Sequence, residues 1–377
     1  MVNALRELVR ISNTVGRDSA LVLGGFGNTS VKTADGKYMY IKASGTALKE
    51  MDSKSGWRRL CVNSVLAILK DKSIAKMSID KREAKVTKAL LLSCDDKNKK
   101  NINPSIESCF HAILDRCVMH LHPVAVLAYA CAKNGRKELE ELFKAQKPPP
   151  LWVPYANPGL ELAKRIEKLT GTYKVKYGQT APIIFLQNHG LVVTADKPET
   201  ALNLVRKVID VCGSKLKKPK AGEPEGASDE AISEAIWIIK KAFFDATGKR
   251  VPLRYFMNEK IGGFMAARAA RQLCSEPALT LDELIISHGP PMWVEGLRSQ
   301  TILNKLNAYI AAGRELPTSI LIKPLGLFVT AGRETRLLVK NVTSNYLYIR
   351  SCAAKLGGIH TLTKQQQDFI AKYKKNS

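Results

Sequence analysis

Two histidines separated by one residue carry the strongest chemical signal in this chain. They lie in Cys117-Val118-Met119-His120-Leu121-His122-Pro123, an apolar run closed by proline. Alternate side chains of a strand share a face, so His120 and His122 project together and can grip one metal ion. A catalytic zinc usually takes three protein ligands. The third candidate is His189 in Asn188-His189-Gly190, at the end of the apolar run Pro182-Ile183-Ile184-Phe185-Leu186. A carboxylate, Glu107, lies upstream in Asn103-Pro104-Ser105-Ile106-Glu107. The chain has six histidines and three fall in these two stretches, so the pattern points to a divalent-cation site with a carboxylate upstream of it.

The elements around these residues can be read from spacing. Residues 2–16 form a helix, with Val2, Leu5, Leu8 and Val9 on one stripe. The glycine-rich stretch Leu21-Val22-Leu23-Gly24-Gly25-Phe26-Gly27-Asn28 superficially resembles a dinucleotide fingerprint, but two strand-like runs around an Asp-Gly turn follow it, not a helix. Asn28 and Ser30 in that region, and Ser44-Gly45-Thr46 after the second strand, offer donors to an anion. Pro104-Ser105 starts a helix running through Leu114, which places Glu107 in its first turn, at the positive end of the helix dipole. Pro123 opens an apolar helix to about Ala132, and a polar helix covers 135–145. A proline-rich loop over 148–159, a helix from Leu160, the His189 strand and a helix at 198–213 complete the first half. His111 shares a helix face with Glu107 and either orients it or is a satisfied core histidine. Tyr155 reads as packing or as a site residue, and His288 and His360 read as structural.

At 377 residues the chain exceeds the size of a single core, and two domains are expected. Residues 215–228, almost without apolar side chains, form the linker. Beyond it 229–248 and 259–273 are helical. Leu321 to Gly332 then aligns with Phe185 to Asp196, identical at five of twelve positions, which suggests a duplicated half. Leu325 stands where His189 does, so the second half reads as a repeat without the metal site.

Composition excludes several classes. A 45% hydrophobic content with 7% aromatics fits a soluble globular chain, and the apolar run 124–132 is too short to cross a bilayer. The net charge of +25 is spread along the whole length without a nucleic-acid motif, so neither nucleic acid nor membrane is an expected partner. Eight cysteines at irregular spacings, with a charged amphipathic start, suit reduced thiols in the cytoplasm.

The ordered set Gly25-Phe26-Gly27-Asn28-Thr29-Ser30, Lys42-Ala43-Ser44-Gly45, Pro104-Ser105-Ile106-Glu107, His120-Leu121-His122-Pro123 and Asn188-His189-Gly190 resembles the class II aldolase/adducin family. The short gap between Glu107 and His120, and the tail around Gly357-Gly358-Ile359-His360, are similar to the aldolase portion of rhamnulose-1-phosphate aldolase proteins fused to a short-chain dehydrogenase. The dehydrogenase segment itself is expected to be absent. The resemblance implies a layered α-β-α domain at 1–214, followed by a degenerate repeat-like α/β domain at 229–377. It implies that His120, His122 and His189 hold Zn2+, with Mn2+ as another candidate. Glu107 would move the proton on an enediolate, and Asn28, Ser44, Gly45 and Ser105 would cradle the phosphate of a sugar phosphate. The family's sites lie near subunit interfaces, which implies a homo-oligomer. A 4-epimerase, a dehydratase and a metal-free adducin-like binding module are the family's other outcomes. The tyrosine acid of fuculose-type aldolases has no clear match.

Overall fold

The computed structural model describes residues 3–22, 24–96, 102–216 and 227–376. Contacts divide the chain into two units, Met1–Ala130 with Arg136–Lys215, and Cys131–Gly135 with Leu216–Ser377. Within the expected linker, residues 217–226 lie outside the described residues, as does the basic stretch at 97–101.

The first unit is built on seven strands: β1 (Asn28–Lys32), β2 (Tyr38–Lys42), β3 (Trp57–Cys61), β4 (Cys117–Leu121), β5 (Leu151–Val153), β6 (Ile183–Leu186) and β7 (Gly190–Ala195). Their spatial order is β3-β2-β1-β4-β7-β6-β5, and every pairing is antiparallel except β5 with β6. The central strands are buried along their whole length, because helices cover both faces. Helices Asn3–Gly16, Val124–Ala130 and Pro198–Ser214 pack against one face. On the other, helices Val62–Lys70, Ile79–Leu92, Ser108–Ile113 and Leu160–Tyr177 close a core around Met39, Ile41, Val118, Ile184, Leu186 and Val192. The glycine stretch at 24–27 runs into β1, as expected, and opens no helix.

One helix begins later than its proline suggests. Pro104 forms a bridge with Ala43 and the Ser105 N–H donates to the Lys42 carbonyl, so these residues extend the sheet. The helix starts at Ser108, and Glu107 is its N-cap residue.

The second unit carries β8 (Arg254–Phe256), β9 (Met292–Glu295), β10 (Ser319–Lys323) and β11 (Gly326–Val329) in the order β8-β11-β10-β9. The expected helix over 259–273 is two helices, Glu259–Met265 and Ala270–Ser275. Pairing senses reproduce those of β4-β7-β6-β5: antiparallel, antiparallel, then parallel. Registers match too. Trp152 pairs with Phe185 in the first unit, and Trp293 with Leu321, which the 321–332 alignment sets at the same place. This equates Pro149-Pro150-Leu151-Trp152-Val153 with Pro290-Pro291-Met292-Trp293-Val294, a second echo that the spacing of the first does not predict. The duplicated wiring is physical. Its second copy has a core of its own around Ala235, Ile239, Phe243, Ile302, Ile320 and Phe328.

Candidate metal centre

Strand β4 ends where β7 begins, and this fixes the three histidines. His120 pairs with Val192, and Leu121 with Leu191, so His120 and the adjoining His122 lie against the turn that joins β6 to β7. His189 occupies that turn. Asn188 takes the left-handed conformation there at φ 53, which asparagine tolerates better than most residues. Gly190 then passes so close to β4 that a Cβ would collide with the Leu121 carbonyl and stand 2.8 Å from Cδ2 of His122. Only glycine lets the two ends of the site approach this closely.

The ring nitrogens converge. Nε2 of His120 lies 3.0 Å from Nε2 of His122 and 3.2 Å from Nε2 of His189. Nitrogens held at about 2.0–2.1 Å from one tetrahedral ion stand about 3.3 Å apart, so the spacing suits a shared cation. His120 Nδ1 lies 3.1 Å from the Leu191 carbonyl, which can only accept. Nδ1 therefore carries the proton, and Nε2 turns a lone pair toward the other two rings. All three side chains are buried. Burial, reinforced by His122, holds His120 well below its ordinary range. Burial also pulls His189 down to about 3, against the opposing pull of Glu107. Both rings are neutral at pH 7, as a metal ligand must be.

Glu107 closes the site. Its Oε2 lies 3.4 Å from His120 Nε2, and its Oε1 lies 3.4 Å from His189 Nε2. Asn28 Nδ2 donates to Oε2 at 2.7 Å, whereas Oε1 is buried without a hydrogen-bond partner among the described residues. A buried acceptor left this way costs about 1–3 kcal/mol. An atom so placed is available to a substrate proton or a cation.

The other expected residues divide into two groups. Asn28 faces Glu107 with its whole amide engaged, and the Ser105 hydroxyl accepts from the Glu107 N–H at 3.3 Å. Ser44 and Gly45 form an exposed turn after β2, tied to the 103–105 segment by the Ser44 N–H to the Asn103 carbonyl. Lys42 is buried, and its ammonium donates to the carbonyls of Gly25, Ala43 and Thr46, so it clamps the glycine stretch to that turn. Tyr155 donates to Asn157 Oδ1, and His288 Nδ1 faces the Leu316 carbonyl. His111 reaches Glu107 through Asn28, and the part that Asn28, Ser30 and Lys32 play in this link is not among the expectations from sequence. Their signal was the polar residue at every second position of β1.

The sequence profile of the class II aldolase and adducin N-terminal domain matches residues 6–216. The chain belongs to the class II aldolase and adducin family. A Bacillus subtilis protein named uncharacterized oxidoreductase YuxG is 26% identical over 338 residues, covering 84% of this chain and 46% of that protein. The chain thus spans about half the length of this curated relative. Among solved structures, the N-terminal class II aldolase domain of a conserved Thermoplasma acidophilum protein is 26% identical, with TM-score 0.47, covering 57% of this chain and 94% of that one. The L-fuculose-1-phosphate aldolase of Thermus thermophilus is 16% identical, with TM-score 0.35, covering 57% and 94%.

Buried histidines held neutral are expected to make the metal-free form of this class II aldolase family member acid-labile. His111, like His120 and His189, is depressed chiefly by burial. In the unfolded chain each titrates near 6.5, so below that pH the unfolded state takes up protons that the native state refuses. Their contribution is full above about pH 6.5 and is lost as pH falls below it, for His189 down toward about 3. Each group accounts for about 1.4 kcal/mol per pH unit. The urea midpoint of chelator-treated protein is expected to drop clearly between pH 7 and 5, and an unchanged midpoint would show that the rings are not neutral.

Proposed function

We propose that the chain is a zinc-dependent class II aldolase acting in the cytoplasm as a homo-oligomer. Its substrate is a ketose 1-phosphate of the rhamnulose or fuculose type, split to dihydroxyacetone phosphate and an aldehyde. One observation carries the reading: three imidazole Nε2 atoms meet in a buried cluster against a carboxylate with one oxygen left over. Family membership supports this reaction class. The donor set fits a divalent cation, with His120, His122 and His189 as its ligands. When bound, the cation supplies Lewis-acid stabilisation of the negative charge that develops on the substrate oxygens.

The chain's own residues do the rest. Glu107 Oε1 takes or returns the proton at the enediolate carbon, among buried side chains that exclude competing water. The Leu191 carbonyl holds His120 in the tautomer that offers Nε2. The exposed turn at Ser44 and Gly45, clamped by Lys42, gives the phosphate a donor-rich seat, and Ser105 sits on the neighbouring segment. Resemblance to the aldolase portion of a dehydrogenase fusion makes the rhamnulose type the first substrate to try.

The test is turnover of ketose 1-phosphates by zinc-loaded protein, read as triose phosphate release. Release above the protein-free rate supports the aldolase. Interconversion of pentulose phosphates without triose release replaces it with an epimerase. No turnover by protein that retains one metal per chain sinks both, in favour of a binding module.

A further inference from the structure

One face of β1 grips the segment that carries Glu107 at three successive positions. Asn28, Ser30 and Lys32 are two residues apart and share that face. Asn28 Nδ2 donates to Glu107 Oε2 at 2.7 Å. Asn28 Oδ1 lies 2.5 Å from His111 Nε2, and His111 Nδ1 lies 2.7 Å from Ser30 Oγ. Lys32 Nζ donates to the carbonyls of His111, Leu114 and Asp115 at 2.8, 2.5 and 2.8 Å, capping the C-terminal end of the helix Ser108–Ile113. His111 is fully buried.

The protons in this chain can be assigned. An ionised carboxylate only accepts, so Asn28 must present its NH2 to Glu107 and its carbonyl to His111. His111 Nε2 then carries the ring proton, and bare Nδ1 accepts from the Ser30 hydroxyl. The reverse amide orientation would set Oδ1 against the carboxylate and Nδ2 against Nε2. Each donor fixes the next, and the chain ends on a single carboxylate oxygen.

We propose that His111 is a positioning residue: through Asn28 it ties Glu107 Oε2 and leaves Oε1 as the one oxygen free to exchange the substrate proton. This rests on Glu107 acting as the acid/base of the aldolase reading. It also gives the Asn28 amide a task on Glu107. His111 is not among the three clustered imidazoles; it acts through the amide. A purely packing role would require only its shape and its apolar surroundings.

The test compares His111→Leu with His111→Gln, whose side-chain amide can still donate to Asn28 Oδ1. His111→Leu is expected to lower kcat about 100-fold at nearly unchanged KM and metal content, with His111→Gln recovering to within about fivefold of wild type. Equal losses in both folded variants, or none in His111→Leu, would overturn the proposal. Nitrogen-15 spectra of ring-labelled wild-type protein, assigned by the signal missing in His111→Gln, provide a readout that needs no turnover. A neutral Nε2–H ring is the expected result. An Nδ1–H ring breaks the chain of donors and overturns the proposal, whatever the enzyme's activity. Wild-type protein without turnover but with the Nε2–H ring would remove the aldolase reading and the proton-exchange role with it, while the tie between His111, Asn28 and Glu107 would stand.

Discussion

Glu107→Gln is expected to keep its metal and its fold while losing about 10³-fold in kcat, within the 10²–10⁴ range that a positioned acid or base supplies. The substitution is nearly isosteric. The Asn28 amide still finds an oxygen at the position of Oε2. The three imidazoles that would hold the cation are untouched, so metal content per chain should not change. What is lost is an oxygen able to accept a proton where Oε1 stands, 3.4 Å from His189 Nε2. Steady-state kinetics with metal analysis of the same preparation decide it. A variant with full activity would move the proton-transfer role elsewhere, and a variant that lost its metal would make Glu107 a ligand.

His189→Ala should do the converse. Its ring is one of three imidazole donors within 4.8 Å of one another, with the Glu107 carboxylate 3.4 Å from two of them. Removing an outer-shell partner of a metal ligand costs about 10–100-fold in affinity; removing a ligand itself should exceed the upper figure. Zinc is expected at about one per chain in wild type and close to zero in the variant after dialysis. The fold should survive, because Asn188 and Gly190, not His189, meet the unusual backbone demands of the turn. Circular dichroism checks that point. Equal zinc content in both proteins would mean that the imidazoles do not form the site.

Much of this site could be read from the chain because its donors are rare residue types at telling intervals. His120 and His122 needed only strand periodicity to share a direction, and His189 only the end of an apolar run. The role of Asn28 was harder to see. Its partners Glu107 and His111 are 79 and 83 residues away, and what unites them is that β1 pairs with β4 while the helix Ser108–Ile113 packs on the same face. Local punctuation misled at Pro104, where a bridge to Ala43, just past the end of β2, outweighed the usual preference of proline for a helix start. In the second unit, one echo was visible between residues 185–196 and 321–332. The other, Pro-Pro-x-Trp-Val, was hidden because unequal connections shift it out of step. Only the registers of β5 on β6 and β9 on β10 align it.

The duplication makes the chain its own control experiment. By strand register, Tyr255 stands in the second unit where His120 stands in the first, Met257 where His122 does, and Leu325 where His189 does. Tyr255 sends its hydroxyl to the Leu325 carbonyl, and Gly326 keeps the tight approach of Gly190, with a Cβ there only 3.1 Å from the Phe256 carbonyl. The same wiring therefore closes with a phenol, a thioether and an isobutyl group at the positions of the three imidazoles. Whatever the histidines of the first copy are for, holding the strands together is not a job the scaffold asks of them.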